Sequence, residues 1–489
     1  MADFLHAAAA HVWNRGLIVL ILLTGLYFSV RMRFPQLTQL KEMLRLLGAR
    51  GAGASGISPL QSFVFTAART FGVGNIAGMA AGMYFGGPGT LFWLWVLAFF
   101  GAAIAILEGT LAQTFKRPMR GGYRGGPAYY MVAAMRPGRL GKIFGLCYSV
   151  VTVISLTFLM PEVQSYYIVQ GLNEAFGADR LLAGIVLTVL LALVIQGGLN
   201  RMGRATYRIS PTVGTLYVLV SLFIIFANLH RVPEAFFLIL RSAWGRDAAF
   251  GGITAFALQW GIRRGVQANE VAVGTSAIIS STSEVSHPVQ QGLLGGLSVY
   301  IGTLFVCTTT TFMILLTDSY NVLSPSGGFV FEGLPGVEYG NPFVSHAIQR
   351  VIPIPNFGNV FVALAIFFFA FVALSAFYLH AESNLAYLLG NHPAGHFILR
   401  VLFLGSVFFG TQIAADTIWA MADIGFGMMA WINLFSLLLT GHIGVRIYYD
   451  YINKRKTGVL DPPFLPKDTG ITHGAEVWES LLNRKEENE

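Results

Sequence analysis

Charge is what this sequence has least of. Only 11% of its 489 residues are Asp, Glu, Lys or Arg, while 54% are hydrophobic and the mean hydropathy is +0.62. Soluble domains carry ~25% charged residues, so an ordinary soluble enzyme is excluded: no single core could hide this much apolar surface. Cysteine is nearly missing as well. Cys147 and Cys307 both fall inside apolar runs, which leaves no disulfide framework and makes packing their simplest use. The net charge of +8 comes with no basic cluster interleaved with aromatics, so no nucleic-acid surface is expected. No small-residue cleavage site follows the first apolar run, 12–30, and that run reads as a retained helix rather than a signal peptide.

What is present is apolar length. A membrane span needs ~20 predominantly apolar residues, and eleven candidates meet that need: 12–31, 61–84, 88–114, 142–172, 181–199, 209–228, 249–280, 289–317, 357–389, 397–414 and 416–447. The expected protein is therefore an all-α integral membrane protein with eleven transmembrane helices, embedded in a lipid bilayer. The 56 glycines suit close helix packing and the 39 phenylalanines a bulky lipid face. Basic residues fix the orientation, because cytoplasmic loops retain them. Of the 32 Lys and Arg, 23 fall in one set of connections and the C-terminal segment, 6 in the alternate set, and Arg69, Arg263 and Arg264 within spans. The N-terminus is predicted outside the cell (inner) membrane and the C-terminus in the cytoplasm. The longest outer connection, 317–356, is rich in glycine and proline and reads as a lid or a linker. Residues 461–489 are expected to form a tail with little fold.

Two spans are interrupted. Residues 63–82 read FVFTAARTFGVGNIAGMAAG, with Gly72, Gly74, Asn75 and Gly78 in an otherwise apolar run. Unpaired backbone in hydrocarbon costs several kcal/mol per group, so such a break persists where it lines a cavity. Small-residue packing through Gly74, Gly78 and Gly82 is the competing reading. The second interruption, 261–274, reads GIRRGVQANEVAVG. It places Arg263, Arg264, Gln267, Asn269 and Glu270 at membrane depth, where an ion pair of Arg263 or Arg264 with Glu270 is the structural expectation. Leaving the leading span aside, each break falls in the first helix of a five-span set, the signature of an inverted-repeat transporter. The boundaries expected are 1–60 for the leading helix and its basic connector, 61–228 and 229–447 for the two five-helix repeats, and 448–489 for the tail.

Several strings are distinctive: GVGNIAG at 72–78, FGGPGTLFWLW at 85–95, EGTLAQTF at 108–115, YRGGPAYYM at 123–131 and GIRRGVQANE at 261–270. With QQGLLG at 290–295, CTTTT at 307–311, Asp423 and Asn433, they resemble the alanine or glycine:cation symporter family over almost the whole membrane region. The resemblance implies one leading helix before a ten-helix, 5+5 inverted-repeat core like that of the bacterial leucine transporter, with its first and sixth helices discontinuous. It implies secondary active transport of small neutral, alanine-like amino acids with sodium as the coupling ion, and no other cofactor. Carried over by position, the substrate site comprises Gly72, Val73, Gly74, Asn75, Gln164, Gln267, Asn269, Ala373 and Phe377.

The departures from the family pattern are equally specific. GTGN has become GVGN, the paired threonines of the eighth core helix are Val372 and Ala373, and the aspartate before Thr303 is Gly302. Sodium prefers oxygen ligands, so coupling is expected to be weakened or replaced. The cation site or its surrogate would involve Ala68, Arg69, Phe71, Val372 and Ala373, with the Arg69 guanidinium standing where a mobile ion would sit. The rival readings are a sodium-independent or proton-coupled carrier or exchanger, a non-transporting sensor, and an intramembrane enzyme built on His380 with Glu382 or His392 with His396. Neither histidine pair has the three or four ligands of a zinc site, and no catalytic residue is expected.

Overall fold

The computed structural model describes residues 2–48, 60, 63–64, 72–119, 122–135, 138–247, 249–390 and 392–486, with residues 119, 198–210 and 482–486 given by backbone only. The described residues are mostly helical. Among the described residues, seven helical stretches are long and apolar enough to cross a membrane: Ala2–Arg31, Thr90–Thr114, Arg139–Phe176, Pro288–Leu316, Phe357–Leu389, Pro393–Gly410 and Ala415–Lys456. A further pair, Pro211–Ala227 and Leu229–Ala243, is bent by 77°.

Apolar patterning explains how they pack. Large side chains such as Leu182, Val189, Leu219 and Phe226 face outward, while small and polar ones turn inward. The Thr90–Thr114 and Pro288–Tyr300 helices meet backbone to backbone: a Cβ on Gly292 would lie 2.4 Å from the Ile106 carbonyl oxygen, and one on Gly109 3.0 Å from the Gly292 Cα. Such approach is how helices associate when both partners are apolar. The expected span at 142–172 is two helices, Arg139–Phe158 and Pro161–Phe176. Pro161 opens the second, where its missing N–H costs nothing.

The Thr90–Thr114 helix defines two faces. At its start, Gly87 packs against Val322 in an antiparallel hairpin, Asn321–Leu323 with Phe329–Glu332. At its end, Trp478 of the C-terminal segment donates to the carbonyls of Gln113 at 3.3 Å and Thr114 at 3.2 Å. The connection 317–356 is thus no bare linker. It carries that hairpin and the Asn341–Val351 helix, with Asn321 bridging to the Leu334 backbone in both directions.

The tail also departs from expectation. Its Pro466–Thr469 turn and Glu476–Glu486 helix dock on the bundle through Phe464 and Trp478, which are buried and in ring contact at 5.1 Å. Two aromatic side chains and Ile471 supply apolar burial that a count of polar residues overlooks. On the same face, Glu42 of the leading connector binds Arg45 and Arg455, and Arg45 binds Asp461. Burial raises the Glu42 pKa, but hydrogen bonds from Arg45 and Tyr451 and the charges of Arg45 and Arg455 outweigh it, leaving the carboxyl below its usual range.

Candidate functional site at two facing helix breaks

The first break is a single 3-10 turn, Val73–Asn75, between Gly72 and the Ala77–Gly86 helix. Its N-cap residue, Ile76, makes no side-chain cap, and among the described residues no side chain caps that helix start, which leaves its backbone donors free toward the break. The second break follows the Thr254–Asn269 helix: Glu270, Ala272 and Gly274 all take left-handed backbone angles before Thr275–Ser280 resumes. For Glu270 and Ala272 that conformation costs of order 1–3 kcal/mol each, so surrounding contacts must hold it. Gly274 has no alternative residue, since at φ +83° a Cβ would also sit 2.3 Å from Pro127.

The two breaks touch. A Cβ on Gly74 would lie 3.4 Å from the Ala268 Cα. The Val73–Asn75 turn also packs against the Pro161–Phe176 and Phe357–Leu389 helices, which carry Gln164 and Phe377, and against a π-helical segment, Ile301–Cys307. On that segment the break amides find consecutive partners: Asn75 Nδ2 donates to the Gly302 carbonyl at 3.3 Å, and Asn269 Nδ2 to Thr303 Oγ1 at 2.8 Å. Asn75 Oδ1, Asn269 Oδ1 and Gln164 Oε1 are buried and have no partner among the described residues. Unsatisfied buried acceptors are uncommon in a folded interior, and these three lie on segments that meet at the breaks, which makes the breaks the candidate ligand site. Ala373, Val372 and Phe377 are buried on the Phe357–Leu389 helix, and Gln267 offers its Oε1 to Arg264. Ala68, Arg69 and Phe71 lie outside the described residues.

The expected pairing of Arg263 or Arg264 with Glu270 is not formed. Both arginines bind Asp423 instead, Arg264 Nη2 at 2.8 Å from its Oδ2. The left-handed turn at Glu270 carries that acid past the break, where it accepts from Thr275, while Asp423 projects from the Ala415–Lys456 helix alongside. Two guanidiniums on one carboxylate leave a net positive charge, spread over ring faces: Arg264 lies 4.4 Å from the Trp419 ring and both arginines lie 4.8 Å from the Trp260 ring. Outward along the Ala77–Gly86 helix the layers follow in order. Gly78 meets Trp419, Gly82 meets Arg264, and Tyr84 stacks on Tyr339 at 4.8 Å beneath a cavity of about 820 Å³ on the hairpin face. Trp419 also donates to Tyr167 at 2.8 Å, which puts aromatic and charged side chains between that cavity and the breaks.

The strained second break is anchored from below. Asn433 Nδ2 donates to the Ala272 carbonyl at 2.8 Å and to Glu108 Oε1 at 2.5 Å, while Tyr130 donates to Asn433 Oδ1 and Tyr148 to the Val273 carbonyl. Reasoning from sequence placed Glu108, Tyr130 and Asn433 in motifs but gave them no role. The available signal was an acid and an amide inside apolar runs. Thr303 carried even less, because a π-helical bulge has no composition of its own. Among the described residues no group of three metal-ligating side chains occurs.

A model of the sodium:alanine symporter family matches residues 1–465. The chain belongs to that family. Its members are transporters, so the intramembrane-enzyme alternative falls, and this is a multi-pass membrane protein. A putative sodium/proton-dependent alanine carrier of Bacillus subtilis (strain 168) is 40% identical over 489 residues, covering 100% of this chain and 99% of that protein. The sodium/proton-dependent alanine carrier protein of Bacillus sp. (strain PS3) is 38% identical, covering 91% and 99%, and a sodium/alanine symporter of Methanococcus maripaludis 31%, covering 89% and 93%. A manganese transporter of Eremococcus coleocola has a similar fold, with TM-score 0.50 at 11% identity over 86% of this chain and 91% of that one.

Proposed function

We propose that this symporter carries a small neutral, alanine-like amino acid across the cell membrane by alternating access. The substrate would lie between the two breaks, its carboxylate on the uncapped start of the Ala77–Gly86 helix and its amine near Asn75 and Gln164. The observation that carries this reading is that Asn75, Asn269 and Gln164, each with a buried acceptor unsatisfied among the described residues, lie on segments that pack together at two touching helix breaks. The names of the relatives point to the same cargo.

Sodium is the natural partner ion, and its place would differ from the Val372–Ala373 position. Val372 and Ala373 offer no side-chain oxygen, whereas Asn75 Oδ1, Asn269 Oδ1 and Thr303 Oγ1 form an oxygen set beside the π-helical segment. Coupling at the Val372–Ala373 position is then weakened or taken over by Arg69. The reading includes eleven spans in a leading helix plus a 5+5 inverted repeat, with the N-terminus outside and the tail face cytoplasmic. The layered Trp419, Arg264 and Tyr339 would be the outer gate.

A thermal-shift series on the purified protein tests the site. L-alanine should raise the melting temperature, more so with sodium than with choline, and should fail to do so in Asn75→Ala. A series in which no small amino acid stabilises the protein would sink the proposal. Labelling single-cysteine variants in a background lacking Cys147 and Cys307 tests the orientation, which fails if a cysteine at 122 reacts from outside intact cells.

A further inference from the structure

The buried acids of the spans differ in what satisfies them. Asp423 holds two arginines, Glu270 accepts from Thr275 and Glu162 from Ser406. Glu162 and Glu108 each keep one oxygen without a partner among the described residues, and of the two only Glu108 shares its donor with a helix break. Glu108 is fully buried on the Thr90–Thr114 helix and makes no ion pair among the described residues. Its Oε1 accepts from Asn433 at 2.5 Å, and its Oε2 has no partner among the described residues. The titratable groups that face it are the Tyr130 and Tyr148 hydroxyls, with Glu270 beyond Tyr148. Neither phenol is spare, since Tyr130 donates to Asn433 and Tyr148 to Val273. A carboxylate with a single amide donor is a poor occupant of such a place, whereas a carboxylic acid fits it.

Asn433 ties this acid to the site. One nitrogen, Nδ2, serves both Glu108 Oε1 and the Ala272 carbonyl of the second break. We propose that Glu108 is a proton-binding site of the transport cycle, and that Asn433 transmits its protonation state to the strained 270–274 segment. The Asn433 amide has two N–H groups, and with the proton on Glu108 one serves Oε1 while the other holds Ala272. When the O–H bond breaks, the electron pair stays on the carboxylate and the proton passes to water admitted by the changed conformation. The charged oxygen then draws the amide, because hydrogen bonds to an ionised acceptor are about twice as strong as neutral ones. The shifted amide lengthens its second bond, to Ala272, and the left-handed turn is held less firmly. The transported co-ion class is thus the proton, alone or beside sodium. This inference rests on the amino-acid transport proposed above.

The test uses the full chain in proteoliposomes, reading the ratio of radiolabelled alanine uptake with and without an inward proton gradient at fixed sodium. An acidification of about one pH unit multiplies the proton activity by about ten, and the wild-type ratio should rise well above one. In Glu108→Gln the ratio should fall to one whatever the absolute rate, because glutamine is permanently in the neutral shape. Glu108→Asp keeps a titrating carboxyl and should retain the response with a displaced pH midpoint. If Glu108→Gln responds as wild type does, Glu108 is a fixed structural acid and the proposal is wrong. If Glu108→Gln does not assemble, the aspartate variant decides: an unmoved midpoint overturns the assignment. A wild type indifferent to the gradient also overturns it, and alanine counterflow in the same vesicles shows separately whether the amino-acid reading survives.

Discussion

Asn75 is legible in the sequence because a lone amide within an apolar, glycine-broken run has no packing use, and the structure places it with one acceptor unsatisfied. If it holds a charged end of the substrate, Asn75→Ala should weaken alanine binding by ~1.5–3 kcal/mol, measured by titration calorimetry with sodium present. An unchanged affinity would remove Asn75 from the site. Arg263 and Arg264 are equally visible, yet the acid nearest in sequence is not their partner. Chain proximity says little once a left-handed turn intervenes, and the true partner, Asp423, lies on a helix packed alongside. Asp423→Ala should cost ~3–5 kcal/mol, since it leaves two buried guanidiniums uncompensated. Arg263→Ala should cost less, as Asp423 keeps Arg264. Denaturation in detergent that ranks the two variants the other way round would contradict this account of the cluster.

At the scale of elements, existence was readable and interruption only partly so. Glycine density marked the break at 72–78, whereas the division between Arg139–Phe158 and Pro161–Phe176 falls inside what reads as the single apolar span 142–172. The π-helical segment at Ile301–Cys307 left no trace, because its register change is set by what Asn75 and Asn269 require of Gly302 and Thr303. The glycines divide into those that permit contact and those that do not matter. Gly292→Ala would place a Cβ 2.4 Å from the Ile106 carbonyl and force two spans apart, at a cost of ~1–3 kcal/mol. A Cβ on Gly405 would meet nothing within 4 Å, and Gly405→Ala should be neutral or stabilising by a few tenths of a kcal/mol to about 1 kcal/mol. Melting temperatures of the pair, read side by side, check the helix contact: equal shifts would mean that the close approach is not maintained.

For the whole molecule, composition established a membrane bundle, while the tail and the 317–356 connection were underestimated because their order depends on a few aromatics and caps rather than on average polarity. The docked tail has a consequence for pH. His287 is fully buried beneath Phe464, with its ring centroid 5.1 Å away, and faces Asp450 and Lys454. Desolvation depresses its pKa to about 4 despite the hydrogen bond to Asp450. A freed imidazole near 6.5 binds more protons than the docked one, so docking is favoured at neutral pH and weakens as pH falls from about 6.5 toward 4. Amide protection factors in 464–481, with each rate divided by its intrinsic rate at that pH, should therefore fall on acidification, and less so in His287→Gln. A tail whose protection is unchanged between about pH 7 and about pH 4.5 would refute that link.

The central claim is that the two breaks bind an amino acid and move it with a cation. Uptake of radiolabelled L-alanine by purified protein in proteoliposomes, driven by an inward sodium gradient with a choline control, examines it most directly. Accumulation above equilibrium in wild type, abolished in Asn75→Ala and outcompeted by unlabelled alanine, is the predicted result. Alanine that only equilibrates, or that accumulates equally well in Asn75→Ala, would contradict the account.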